Sequence, residues 1–121
     1  TTQHMYYVNA GQIALETDVV TGNPNKGNAT PTGVYSLAYK AKDQTLKGTK
    51  KADGTYEYET PVKYWMPFNG GVGFHDASWQ PTFGGSRYQT NGSHGCVNMP
   101  PEMAGKLFEL ISAGTPVVVH N

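Results

Sequence analysis

The sequence predicts a mainly β, β-sandwich-like domain with one main helix near its C-terminus. Three observations carry that expectation. Apolar residues recur at every second position in several short segments, Gly and Pro interrupt the chain at short intervals, and only one stretch shows a helical period. Of 121 residues, 15 are Gly and 8 are Pro, while eight Tyr, four Phe and two Trp supply core volume.

Residues 6–9 and 12–20 flank Ala10-Gly11, which reads as a tight hairpin turn. Ile13, Leu15, Thr17 and Val19 alternate, the period of a sheet with one buried face. Residues 21–33 contain Gly22, Pro24, Gly27, Pro31 and Gly33 and read as loop. Tyr35, Leu37 and Tyr39 alternate again, so 34–40 is expected to be strand. Residues 42–55 are polar and carry an Asp53-Gly54 turn signal, the mark of a hairpin projecting from the sheet. Residues 61–68, 71–75 and 117–120 complete the strands. Pro100-Pro101-Glu102 opens the helix with residues suited to its first turn and its positive end. Met103, Leu107, Leu110 and Ile111 then form one apolar face. Gly114 is expected to end the helix in a left-handed conformation, with Thr115-Pro116 preventing continuation. There is no repeat and no linker.

The length is that of one domain. Nine Lys and Arg balance nine Asp and Glu, so charge makes no case for nucleic acid as a partner. No apolar run approaches the roughly eighteen residues of a membrane span, and residues 1–8 lack the basic and apolar parts of a signal peptide. Because the chain opens on Thr1, it is expected to be a piece of a longer, exported or anchored chain. Five of the nine basic residues, Lys40, Lys42, Lys47, Lys50 and Lys51, fall within twelve positions. They read as a solvated hairpin or protected edge, with a docking surface for an anionic polymer as the alternative. A single cysteine excludes an internal disulfide and a four-cysteine zinc site.

That cysteine, Cys96, lies in Gly92-Ser93-His94-Gly95-Cys96-Val97-Asn98, just ahead of the helix. Gly95 lets the backbone take a strained turn, in which the amides of Gly95 and Cys96 point at one spot as an oxyanion hole. A thiol attacks as thiolate, so it needs a basic partner. Of four histidines, His4 and His120 sit near the termini. His75 closes a glycine-rich strand, a rigid support for a side chain reaching into a pocket. His94 is better placed to shape the turn than to take the thiol proton.

His75, seventeen intervening residues and then Ser93-His94-Gly95-Cys96-Val97-Asn98 resemble the signature of L,D-transpeptidases, the YkuD-type catalytic domain. Thr30-Pro31-Thr32-Gly33-Val34-Tyr35 is similar to a second stretch of that family, and the resemblance runs from about residue 6 to 120. Two positions depart from commoner members: Asp76 stands where many have Gly, and Asn98 where many have Arg.

The resemblance implies one catalytic domain over 1–121 that forms 3→3 peptidoglycan cross-links in the cell envelope, without cofactor or metal. Its partners are a donor tetrapeptide stem and an acceptor amine, with carbapenem β-lactams as covalent inhibitors. Cys96 is the implied nucleophile and His75 the general acid and base. A backbone carbonyl around Ser93, His94 and Gly95 orients His75, and Gly95 contributes an oxyanion amide. Asp76 adjoins His75, but neighbouring side chains on an extended chain diverge, so it is not expected to complete a triad. Ser93 is expected to hydrogen-bond the pair. Loop 76–92 reads as a lid carrying Trp79, Ser86, Arg87 and Tyr88, with Gly84 and Gly85 letting it move. Ordinary packing is the alternative for Trp79 and Tyr88, and plain surface charge for Arg87, which is otherwise suited to a substrate carboxylate. Asn98 and Trp65 are further pocket candidates.

Rival families fit less well. Sortases use an Arg after the Cys, and none follows Cys96. Papain-like peptidases place Cys before His. A zinc site from His75, Asp76, His94 and Cys96 has acceptable ligand types but no metal motif. A non-catalytic wall-binding module would leave Cys96 dispensable.

Overall fold

The computed structural model describes residues 3–27, 29–47, 51–55, 59–70, 72–80, 83–85, 88–93 and 95–120. Along them run β1 (His4–Asn9), β2 (Gln12–Asp18), a 3-10 turn (Pro24–Lys26), β3 (Gly33–Ser36), β4 (Ala41–Lys47), β5 (Glu59–Asn69), β6 (Val72–Asp76), α1 (Tyr88–Asn91), β7 (Val97–Met99), α2 (Pro101–Leu110) and β8 (Pro116–Val119). The fold is mainly β, with its main helix near the C-terminus. No helix among the described residues is long and apolar enough to cross a membrane.

β1 and β2 pair around Ala10 and Gly11, both at positive φ (52° and 78°), the backbone a two-residue hairpin turn requires. Tyr7 pairs with Leu15 but Val8 with Ile13, so Ala14 is the extra residue of a bulge. The bulge explains a departure from the expected alternation. Leu15 and Thr17 are half-buried and Val19 is buried, but Ile13, beyond the bulge, is exposed.

β4, β5, β6 and β7 form a four-stranded sheet in that order, antiparallel except for the parallel β6–β7 pair. The expected polar hairpin is therefore a full arm of this sheet. β7 lies where no strand was expected. It is three residues long, hemmed by Gly95 and Pro100, and its pairing with β6 is long-range. β3 pairs with β8, and regular pairing ends at Ser36, short of the expected Lys40.

One sheet face carries Tyr64, Met66, Phe68, Phe74, Val97 and Met99 into the main core, against Leu37, Val117 and helix α2. The helix buries Ala104, Leu107 and Phe108, with Ile111 just after it, whereas Leu110 is exposed. It ends on extended Ile111, and Gly114 (φ 94°) instead shapes the turn into β8, its amide donating to the Leu37 carbonyl. Of the clustered lysines, Lys40 donates to the Phe108 carbonyl at 2.7 Å and sits 4.7 Å over the Phe108 ring, which Lys42 also faces at 5.6 Å. Both charges thus complement the negative end of α2. Lys50 lies outside the described residues.

Candidate active site

The other face of the sheet carries the candidate residues. Trp65 of β5 stands opposite His75 of β6, which stands opposite Asn98 of β7. Cys96 precedes β7 by one residue and shares a small buried cluster with Trp65 and Val62. Val62 and Trp65, three residues apart, share this face because the pleat between them is interrupted. The amides of Lys63 and Tyr64 both donate to Asp76 Oδ1, at 2.8 and 2.9 Å. That bond pair also locates the Asp76 carboxylate, which is buried and turned to the β5 backbone rather than to the imidazole.

His75 is 3% exposed and lies between two indoles, with ring centroids 6.1 Å from Trp65 and 5.7 Å from Trp79. Its Nδ1 is 2.8 Å from the backbone carbonyl of Asp76. A carbonyl only accepts, so Nδ1 carries the proton and Nε2 of the neutral ring keeps its lone pair. Burial lowers the His75 pKa below 6.5, opposed by the Asp76 carbonyl bond and the Asp76 charge. The orienting carbonyl was expected among Ser93 to Gly95. Ser93 O instead accepts from the Asn23 amide, and Gly95 O from Thr30 Oγ1 at 2.6 Å. His94 lies outside the described residues.

Cys96 is 8% exposed, and burial raises its thiol pKa, opposed by a hydrogen bond from the Gly73 amide. Burial thus favours the neutral form of both the thiol and the imidazole. The turn ahead of Cys96 is tied on both sides. Gly95 has φ 133°, its amide donates to Ser93 Oγ at 3.1 Å, and Ser93 Oγ donates to the Cys96 carbonyl. Ser93 N donates to Thr21 O, and Thr30 Oγ1 accepts from Gly22 N at 2.9 Å, so Thr21, Gly22 and Thr30 frame the turn ahead of Cys96. Gly92 is required there, since a Cβ would fall 2.2 Å from the Tyr88 carbonyl.

Asn98 is 1% exposed, and its Oδ1 has no hydrogen-bond partner among the described residues. Trp79 is half exposed beside the imidazole. Tyr88 sits instead on α1, which docks on the 3-10 turn through Asn25 Nδ2 donating to Gln89 O at 2.8 Å. Gly84 is pinned rather than free: its amide donates to Val19 O, and a Cβ there would meet the Asp18 side chain at 2.9 Å. Ser86 and Arg87 lie outside the described residues. Sequence reading missed Gly73 and Tyr39, whose hydroxyl accepts from Trp65 Nε1 at 3.2 Å. Thr30, in the Thr-Pro-x-Gly stretch, also braces the turn ahead of Cys96, a role that its residue type alone does not indicate.

A buried thiol and a tautomer-fixed imidazole on one face of a sheet define a cysteine–histidine site on a mainly β domain. Comparison with known proteins places that site in a family. The model of the L,D-transpeptidase catalytic domain, YkuD, matches residues 1–119. A crystal structure of a Cys-to-Ser mutant of Enterococcus faecium L,D-transpeptidase is 49% identical, with TM-score 0.89 over 98% of this chain and 46% of that one. The catalytic domain of the E. faecium enzyme, solved by NMR acylated by ertapenem, is 51% identical, with TM-score 0.83 over 98% of this chain and 90% of that one. A Stackebrandtia nassauensis L,D-transpeptidase is 29% identical, with TM-score 0.75 over 98% and 51%. No curated protein matches the sequence. The chain belongs to the L,D-transpeptidase catalytic-domain family, and it spans under half the length of the E. faecium protein in the crystal structure.

Proposed function

We propose that this chain is the catalytic domain of a longer, exported or anchored L,D-transpeptidase that cross-links peptidoglycan in the cell envelope. Support comes from Cys96 and His75 both lying beside Trp65, with the imidazole Nδ1–H held by the Asp76 carbonyl, within a chain of this family. Cys96 Sγ attacks the carbonyl of the third residue of a donor tetrapeptide stem, and His75 Nε2 takes the thiol proton. The amides of Gly95 and Cys96 receive the oxyanion, that of Gly95 turning from the Ser93 hydroxyl. The C–N bond then breaks, His75 returns its proton to the departing D-alanine amine, and a thioester remains. An acceptor side-chain amine attacks it, loses a proton to His75 and forms the 3→3 link as the thiol is restored. Trp79, Asn98, Tyr88 and Arg87 are proposed to contact the stems.

Incubation with a tetrapeptide stem, read by mass spectrometry, tests this proposal. D-alanine release with stem dimers is the expected product pattern, whereas hydrolysed stems alone would make the chain a carboxypeptidase. Cys96→Ala should reduce turnover by at least about 10⁴-fold. A carbapenem should add its mass to the native chain and not to Cys96→Ala, since an E. faecium relative is acylated by ertapenem. Turnover or an adduct surviving in Cys96→Ala overturns the mechanism.

A further inference from the structure

Thr30 is half-buried in a loop, yet its hydroxyl joins two backbone groups that lie far apart in the chain. The Gly22 amide, 2.9 Å away, can only donate, and the Gly95 carbonyl, 2.6 Å away, can only accept. The hydroxyl proton therefore points at Gly95. The Gly22 end is itself fixed. Gly22 bridges Ser93 in parallel, with Ser93 N donating to Thr21 O and Asn23 N to Ser93 O, both at 3.0 Å. Thr21 is held in turn by the buried Gln3 side chain. Its Oε1 accepts from the Thr21 amide at 2.9 Å, and its Nε2 donates to Thr21 Oγ1 at 2.8 Å. Thr30 thus closes a ring from Gly22 to Gly95 and back through Ser93.

The Gly95 carbonyl belongs to the same planar peptide as the Cys96 amide. In a trans peptide C=O and N–H point in opposite directions, so a bond that fixes the oxygen also fixes where the N–H aims. The hydroxyl polarises the unit as well, since a carbonyl that accepts a proton donor makes the N–H across the peptide a better donor. The two amides proposed to receive the oxyanion differ in this respect. That of Gly95 rests on Ser93 Oγ at 3.1 Å and has to turn, whereas the peptide bearing the Cys96 amide is already clamped at its oxygen. We infer that Thr30 is a positioning residue, whose hydroxyl aims and strengthens the Cys96 amide as the leading oxyanion donor. This role rests on the acyl transfer proposed for Cys96. The Ser93 hydroxyl does not duplicate it, because it donates to the Cys96 carbonyl and so holds the following peptide. Together the two hydroxyls fix the backbone on both sides of the nucleophile.

Two reagents that attack the same thiol test the role of Thr30: ertapenem, which acylates an E. faecium relative, and iodoacetamide. Acylation passes through an oxyanion. The Sγ–C bond forms at the lactam carbonyl, then the ring C–N bond breaks and its nitrogen takes the proton. Alkylation forms an Sγ–C bond and expels iodide with no oxyanion on the way. Thr30→Val keeps the shape of the side chain and removes the hydroxyl. It should slow acylation by about 10- to 100-fold, less than the loss of a whole donor, while alkylation stays within about twofold. Thr30→Ser restores the donor and should bring acylation back to within about threefold of the native rate. Circular dichroism identifies a Thr30→Val chain that does not fold, and Thr30→Ala against Thr30→Ser then gives the same comparison. Unchanged acylation without the hydroxyl, or acylation and alkylation falling together, overturns the role of Thr30 and leaves the proposed function standing. A native chain that is alkylated but never acylated overturns the proposed function itself, and Thr30's role with it.

Discussion

Asp76 serves two neighbours with different atoms. Its backbone carbonyl holds His75 Nδ1, while its carboxylate accepts the amides of Lys63 and Tyr64. A side-chain substitution should therefore damage the sheet before the chemistry. Asp76→Ala leaves two buried amides without an acceptor, at about 1–3 kcal/mol each. Asp76→Asn keeps an amide oxygen and should cost about 1 kcal/mol, the difference between a charged and a neutral acceptor. Urea unfolding reads both costs, and kcat/KM of the folded fraction should fall by less than about tenfold. A loss of kcat/KM in Asp76→Asn as deep as that of Cys96→Ala would place the carboxylate in the reaction and overturn this division. The positions of Cys96 and His75 were legible because residue type and spacing carry them. The carbonyl that orients His75 was not, because every residue has a carbonyl and side-chain identity says nothing of where it points.

At the scale of the element, helix α2 separates two residues that periodicity alone does not. Phe108 is 9% exposed, packs on Tyr64 at 5.2 Å between ring centroids and lies under Lys40, while Leu110 is 47% exposed. Phe108→Ala should cost about 3–5 kcal/mol, and Leu110→Ala less than about 1 kcal/mol. Equal losses in denaturant unfolding would contradict this orientation. The helix and its starting prolines were legible because they depend on local spacing. Its exact face was legible only in part: Met103, Leu107 and Ile111 meet the core as the period predicts, but Leu110 faces out, and Ala104 and Phe108 are buried through contacts with β5 and β6. Strand β7 escaped for a similar reason, since three residues hold no period and a parallel ladder leaves no local mark. The bulge at Ala14, which turns Ile13 outward, is likewise a property of the pair rather than of either strand.

Across the whole molecule, the two histidines shifted in opposite directions give stability a pH dependence of predictable sign. Burial lowers the folded pKa of His75 below 6.5, so the unfolded chain binds its proton first on acidification. The stability linked to His75 is thus complete above pH 6.5 and is lost as pH falls from there toward its folded pKa. His4 has the reverse sign. The bond it donates to Asp18 at 2.7 Å, with burial opposing and Glu16 adding at 3.2 Å, raises its pKa, so its contribution is present below 6.5 and lost as pH rises through the folded value. His4 pairs with solvent-facing carboxylates, which screening weakens, whereas His75 is enclosed by Trp65 and Trp79. The buried site should dominate. Urea midpoints should therefore fall between pH 6.5 and 5.5 in the native chain and stay nearly level in His75→Asn, whose side-chain amide retains a donor. Proton NMR titration gives the independent check, with His75 titrating below 6.5 and His4 above it. Parallel midpoint slopes in the two chains would remove His75 as the cause. The same burial keeps the imidazole neutral below the pH at which a solvated histidine is half protonated, as the proposed acceptor of a proton must be.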